Sequence, residues 1–195
     1  RGRRMEQDLY ALADATGARQ LNVGSIEPLG SLPPIEAVGA RFTALCERAA
    51  AHGLQVALEF MPWTGIPGAA LAWEVVRQAG AANAGVLVDT WHYFRGAADP
   101  AQLRAIPPDR IFGLQINDAD REVVGALRED SLRRRRLPGR GSFDLTGFVR
   151  LMDELGVQAP YAVEVISDEQ TALALDDAAR SAFEATASVL KAARS

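Results

Sequence analysis

The sequence predicts a parallel α/β fold, and three observations carry that prediction. Short apolar segments alternate with amphipathic helical ones along all 195 residues. The strongest apolar segments, residues 54–60 and 84–89, are near-continuous rather than alternating, as expected of strands covered by helices. Polar residues stand where these segments end: Glu59, Asp89, Gln115 with Asn117 and Asp118, and Glu164. Two architectures fit this pattern, a doubly wound open sheet and a (β/α)8 barrel. Neither G-x-G-x-x-G nor a P-loop follows any strand, which weakens the nucleotide-binding doubly wound fold.

The elements follow in order. Residues 4–16 put Met5, Leu9, Leu12 and Ala13 on one helical face, with Gly17 as the stop. Residues 20–24 form a short strand. Pro33 and Pro34 open a helix that keeps Val38, Phe42, Leu45 and Ala49 in register and ends at Gly53. A strand at 54–60, a helix at 68–79, a strand at 84–89 and a short helix at 99–105 come next. Residues 110–117 are a strand. Residues 118–142 are a long polar loop with a helical turn near 122–132, and loops of this length are often functional. Asp144 is an N-cap for a helix carrying Leu145, Phe148, Val149, Met152 and Leu155, ended by Gly156. Residues 161–166 are the last strand. Residues 171–193 are the closing helix, with Leu173, Phe183, Val189 and Leu190 among its apolar positions.

Composition narrows the function. Hydrophobic residues make up 48% and charged residues 24%, enough for one packed domain over residues 1–195. The net charge of −4 disfavours a nucleic-acid binder working through phosphate contacts. No apolar run reaches the roughly 18 residues of a membrane span. Cys46 is the single cysteine, which excludes an internal disulfide and a cysteine-rich zinc site. Lys191 is the single lysine, which disfavours Schiff-base chemistry in the core. The basic start, Arg1-Gly2-Arg3-Arg4, runs into Met5-Glu6-Gln7-Asp8 without an apolar stretch, and reads as a cut or incomplete beginning rather than a leader. A cytoplasmic location is the expectation.

Strand C-termini are where parallel α/β folds place their active sites. A carboxylate buried there without a partner costs several kcal/mol. Convergence of Glu59, Asp89 and Glu164 with the Gln115 amide therefore calls for a cation, and oxygen donors favour a hard divalent ion. Each residue also has a plainer reading. Glu59 could be a strand-end carboxylate paired with an arginine, and Gln115 a buried amide bonded to the backbone. Trp63, Trp91 and Phe94 could be wall packing, His52 a capping or surface residue, and Cys46 core. Arg133-Arg134-Arg135-Arg136 reads as a solvated basic stretch or as an anion clamp.

Five segments carry a resemblance: Val56-Ala57-Leu58-Glu59-Phe60, Val88-Asp89-Thr90-Trp91-His92, Leu114-Gln115-Ile116-Asn117-Asp118, Leu137-Pro138-Gly139-Arg140-Gly141 and Ala162-Val163-Glu164-Val165. In this order they resemble the sugar phosphate isomerase/epimerase superfamily, with its xylose isomerase-like TIM barrel. The resemblance implies a (β/α)8 barrel of which only the C-terminal five β/α units are present. A full barrel takes eight strands and about 250 residues, so the first three units would be missing from the domain.

The resemblance also implies a site. Glu59, Asp89, Gln115 and Glu164 become the ligands of one divalent ion, Mn2+ or Mg2+ first, with Co2+ or Zn2+ as further options. Gln115 stands where many members have His, as in hydroxypyruvate isomerases and 3-dehydroshikimate dehydratases. His92, three residues past Asp89, takes a substrate-side role. Arg121, and Arg136 or a neighbour just before Leu137-Pro138-Gly139, fall where relatives carry arginines on the substrate side, and Trp63 lines the pocket. Arg140 replaces a Glu common in relatives' Pro-Gly-Glu-Gly loop.

The implied chemistry is that of an isomerase or epimerase of carbohydrate metabolism. A proton moves through a metal-bound enediolate of a small hydroxy-carbonyl substrate, with Glu59, Glu164 and His92 as the catalytic groups. The first alternative is a lyase of the 3-dehydroshikimate dehydratase type, in which His92 helps to expel a hydroxyl. The second is an inactive barrel or fragment with a binding role. The expected partner is the small-molecule substrate, with no nucleic acid and no membrane; a homo-oligomer is an expectation from the resemblance alone.

Overall fold

The computed structural model describes residues 2–195; Arg1, in the basic start, lies outside them. Five strands form one wholly parallel sheet in sequential order: β1 (Gln20–Gly24), β2 (Gln55–Glu59), β3 (Ala84–Asp89), β4 (Ile111–Ile116) and β5 (Tyr161–Val163). The helices are α1 (Gly2–Thr16), α2 (Ile35–Ala50), α3 (Ala69–Ala79), α4 (Thr90–Arg95), α5 (Pro100–Arg104), α6 (Leu127–Arg133), α7 (Leu145–Leu155), α8 (Asp168–Thr171) and α9 (Leu175–Ala193). Sequential parallel order with a crossover after each strand is the β/α barrel pattern rather than the doubly wound one. No helix among the described residues is long and apolar enough to cross a membrane.

The two faces of the sheet differ in residue size. Val56, Leu58, Val86, Val88 and Leu114 pack with Phe42 and Cys46 of α2, Val75 and Val76 of α3 and Phe148 of α7 in the main core. The opposite face carries Ala57, Gly85, Gly113 and Ala162 at matching positions, with Leu87 as the large residue. A Cβ on Gly113 would lie 2.9 Å from Leu87 Cδ1, so glycine there lets Leu87 lie flat across the sheet.

Register carries the strand-end residues to one face. Glu59 pairs with Leu87, two residues before Asp89; Asp89 pairs with Gln115; Gln115 pairs with Ala162, two residues before Glu164. Side chains two apart on a strand share a face. All four functional candidates therefore point the same way at the C-terminal edge.

The structure departs from the sequence-based expectation in four places. Helix α4 begins directly after β3, because the Asp89 carboxylate caps it, accepting from the backbone N–H of Trp91 at 2.7 Å. Strand β5 stops at Val163. Glu164 N still reaches Ile116 O, but the Glu164 and Ile166 carbonyls are taken by Arg135 rather than by a strand. The closing helix is two, since the Ser167 hydroxyl caps the short α8, and Leu173 falls in the exposed connection before α9. On α1, Met5, Leu9 and Leu12 are exposed. Tyr10 is the buried residue instead, stacked on His52 at 4.4 Å. Helical spacing shows that a stripe exists, but not which stripe is covered.

Candidate metal and acid-base site

Asp89 is the centre of the site. Its side chain is wholly buried at the end of β3. Oδ1 accepts from Trp91 N, His92 N and, at 3.0 Å, Asn117 Nδ2. Oδ2 accepts from Arg135 Nη1 at 2.7 Å. Burial alone would raise its carboxyl, but Arg135, His92 and the Asn117 amide together hold it below the usual carboxylate range.

The capping turn that starts α4 brings His92 over the neighbouring strand end. His92 Nε2 lies 3.3 Å from Glu59 Oε1, and both groups are largely shielded from solvent. His92 Nδ1 is buried without a partner among the described residues. Trp63 stands edge-on to the His92 ring at 5.1 Å and to Trp91 at 5.8 Å. It forms one wall of this corner.

On the far side, Gln115 Nε2 donates to Glu164 Oε1 at 3.0 Å, while Gln115 Oε1 is buried with no partner. Glu164 Oε2 accepts from Arg135 Nη1 at 2.8 Å. Burial pushes the Glu164 carboxyl up to about 7; Asp89 and Glu59 add to the rise and Arg135 opposes it.

The structure thus brings Glu59, Asp89, Gln115, Glu164, His92 and Trp63 together. It does not bring Arg121 or Arg136 to them. Arg121 is exposed, with its carbonyl accepting from Arg95. Arg136 pairs outward with Asp120 and Glu169. Its neighbour Arg135, 3% exposed, is the arginine inside the site. The reason is local. Arg136 exchanges both backbone bonds with Asp118 and Arg134 bridges to Ser167, so this segment is extended. Extended chain alternates its side chains. Arg134 and Arg136 both reach Asp120 on one side, and Arg135 faces the other. The alternation itself was the available signal, but it needed the Asp118 bridge to set its phase.

Asn117, one of the polar residues at the strand ends, is also part of the site. It orients Asp89 and is fixed in turn by the Thr90 hydroxyl, which donates to its carbonyl. Asp118 holds the loop that carries Arg135, accepting from the backbone N–H of Ala119, Gly139 and Phe143. A Cβ on Gly141 would meet Ala119 O and Asp118 Oδ1 at 2.3 Å, so the Gly-Arg-Gly loop needs that glycine.

The residues fit a divalent cation. Glu59, Asp89 and His92 each offer a ligand atom, all within 4.8 Å of one another. The orphaned Gln115 Oε1 is a buried lone pair lacking a positive partner. A guanidinium already bridges Asp89 and Glu164, so the cluster requires positive charge.

Fold and site together define a parallel β/α barrel protein with a cluster of carboxylates at its strand ends that could hold a cation. The chain belongs to the xylose isomerase-like TIM barrel family, whose model matches residues 2–192. It is 35% identical over 125 residues to a 3-dehydroshikimate dehydratase of Pseudomonas aeruginosa, covering 64% of this chain and 20% of that protein. It is 28% identical over 150 residues to an inosose isomerase of Halalkalibacterium halodurans, covering 76% of this chain and 52% of that protein. The chain therefore spans about a fifth of the first relative and half of the second. Among solved structures it resembles the IOLI protein, crystallised with a zinc atom, at a TM-score of 0.85 and 20% identity, over 95% of this chain and 68% of that one.

Proposed function

We propose that this chain carries the site of a divalent-metal enzyme of the isomerase or epimerase type, acting on a small hydroxy-carbonyl compound. One observation carries the reading: carboxylates in contrasting surroundings face one another across a buried cation-binding centre. Asp89 is held ionised, while Glu164 titrates near neutral pH. The domain organisation that goes with it is a single domain, the C-terminal five units of a (β/α)8 barrel. The family match over residues 2–192 supports it.

Glu59, Asp89, Gln115 and Glu164 would hold the metal, which when bound supplies polarisation of the substrate carbonyl. The acid-base work belongs to the chain. In its carboxylate form Glu164 takes the proton from the carbon beside the carbonyl, and the electron pair moves onto the carbonyl oxygen. Glu59 lies on the opposite side, with His92 Nε2 at 3.3 Å from its carboxyl; in its protonated form it gives a proton to the former carbonyl carbon, while the neighbouring hydroxyl passes its own proton to the oxygen that received the electron pair. Trp63 and Trp91 keep water from that corner.

A second reading is a dehydratase, in which the same proton removal is followed by loss of a hydroxyl protonated from His92. The identity to the Pseudomonas dehydratase, 35% against 28% for the inosose isomerase, favours it.

The test is metal analysis of the protein beside Glu164→Gln and Asp89→Asn, followed by incubation with inososes, small ketoses and 3-dehydroshikimate. The reading expects about one divalent ion per chain, lost in both variants, and a product of unchanged mass. A product lighter by one water selects the dehydratase. Absence of bound metal after supplementation with Mn2+, Mg2+ and Zn2+ overturns both.

A further inference from the structure

We propose that Arg135 is the resident cation of this site, a positioning residue that must leave Asp89 before a divalent ion can be held there. The inference rests on the metal reading above and adds a step to it.

Arg135 Nη1 lies between Asp89 Oδ2 and Glu164 Oε2, at 2.7 and 2.8 Å, where a cation shared by those two carboxylates would sit. Oδ1 is occupied by Trp91 N at 2.7 Å, His92 N at 3.4 Å and Asn117 Nδ2 at 3.0 Å. Oδ2 is occupied by Arg135 Nη1 at 2.7 Å. The side chain is wholly buried, so it has no path by which to turn an oxygen elsewhere. On Glu164, Oε1 accepts from Gln115 Nε2 at 3.0 Å and Oε2 from the same Arg135 Nη1 at 2.8 Å. A divalent ion needs carboxylate lone pairs at about 2.0–2.6 Å. A guanidinium donating to the same oxygens would set like charges against each other in a buried pocket.

Of the groups on Asp89, only the Arg135 guanidinium stands on a long side chain that can be withdrawn without unwinding α4. Trp91 N and His92 N are fixed as backbone of α4, and Asn117 is locked by Thr90. Arg135 is anchored instead to Ser131 of the short α6 and, through Nη1, to the Glu164 carbonyl at 3.2 Å. Its Nε donates to Ser131 O at 3.0 Å and its Nη2 to Ser131 Oγ at 3.0 Å. Those tethers set where the side chain pivots, and withdrawing it opens Asp89 Oδ2 and Glu164 Oε2 together. The metal-free protein thereby keeps its buried carboxylates neutralised, and loading exchanges one cation for another.

The experiment follows Mn2+ binding to the full chain by titration calorimetry and rapid mixing, with thermal melting of the metal-free and loaded forms. Arg135→Gln is expected to melt lower than the wild type without metal and to bind Mn2+ about tenfold tighter or more. The wild-type loading rate is expected to level off at high Mn2+, since arginine release limits it, while the variant's rate climbs in proportion. Ser131→Ala keeps the charge and loosens the tether, and should raise the plateau rate. If a folded Arg135→Gln binds Mn2+ no tighter than the wild type, the proposal falls and the metal reading stands. If Arg135→Gln does not fold, the wild type and Ser131→Ala decide: a rate linear in Mn2+ for both overturns the proposal. No Mn2+ binding to wild type or variants overturns this proposal and the metal reading together.

Discussion

Asp89 and Glu164 are both carboxylates at the C-terminal edge of the sheet, and both are bonded to the same nitrogen of Arg135. Their surroundings separate them. Asp89 closes an interior strand and collects backbone, amide and guanidinium donors; Glu164 stands just past β5 with its side chain about one-third exposed. Donors outweigh burial at Asp89 and hold it ionised, whereas burial outweighs the shared arginine at Glu164 and lifts it to about 7. On the proposed reading, two groups of one chemistry would receive different tasks from their neighbours: a fixed charge and a proton carrier.

The largest test of this contrast is Asp89→Asn. It leaves the buried Arg135 without its shortest ion pair, and breaking a buried pair costs about 3–5 kcal/mol. Urea unfolding should show a loss of that order, because an asparagine oxygen can still cap α4 but cannot balance the guanidinium. Glu164→Gln comes next. Its side chain keeps a partner in Gln115 and is more exposed, so unfolding should move by less than in Asp89→Asn, while metal content and turnover should collapse. Equal destabilisation by the two substitutions would erase the distinction.

A pH series sharpens it further. The Glu164 carboxyl is raised on folding from its ordinary 4.5 to about 7, so the folded state binds the extra proton across that window. Its contribution is complete below the ordinary value and is lost as pH rises through about 7. Asp89 runs the other way. Its contribution is present above the ordinary value of 3.8 and fades as pH falls through its lower folded value. Melting of the metal-free protein should therefore decline between about 4.5 and about 7, and Glu164→Gln should flatten that decline. Metal affinity should rise through the same window, since the carboxyl must give up its proton to bind. The smallest effect is expected from Arg136→Ala. Its pairs with Asp120 and Glu169 are at the surface, and exposed pairs contribute about 0–1 kcal/mol. Metal content and melting should stay near the wild type; loss of either would move the functional arginine from Arg135 to its neighbour.

Much of this architecture is legible in the sequence, for physical reasons that can be named. The strands at 20–24 and 84–89 are bounded correctly because polar or glycine-rich turns flank short apolar runs. The four strand-end residues stand out because each interrupts an otherwise apolar strand, and parallel register then gathers them. Helix α4 is not legible, because its nucleus is the side chain of a residue assigned to the strand before it. Nor is the choice among four consecutive arginines. All have the same chemistry, and the phase of their alternation is set by a backbone bridge to Asp118 and by Ser167, both distant in the chain.

That bridge has an evolutionary consequence. In an extended segment a shift of one residue exchanges the inward and outward side chains. Arg135 has an arginine on either side, so a one-residue slip, or a single deletion between the Asp118 bridge and α6, still delivers a guanidinium to the carboxylates. The run acts as a buffer against frameshifts of the fold itself. The loop can change length while the charge it must present stays the same.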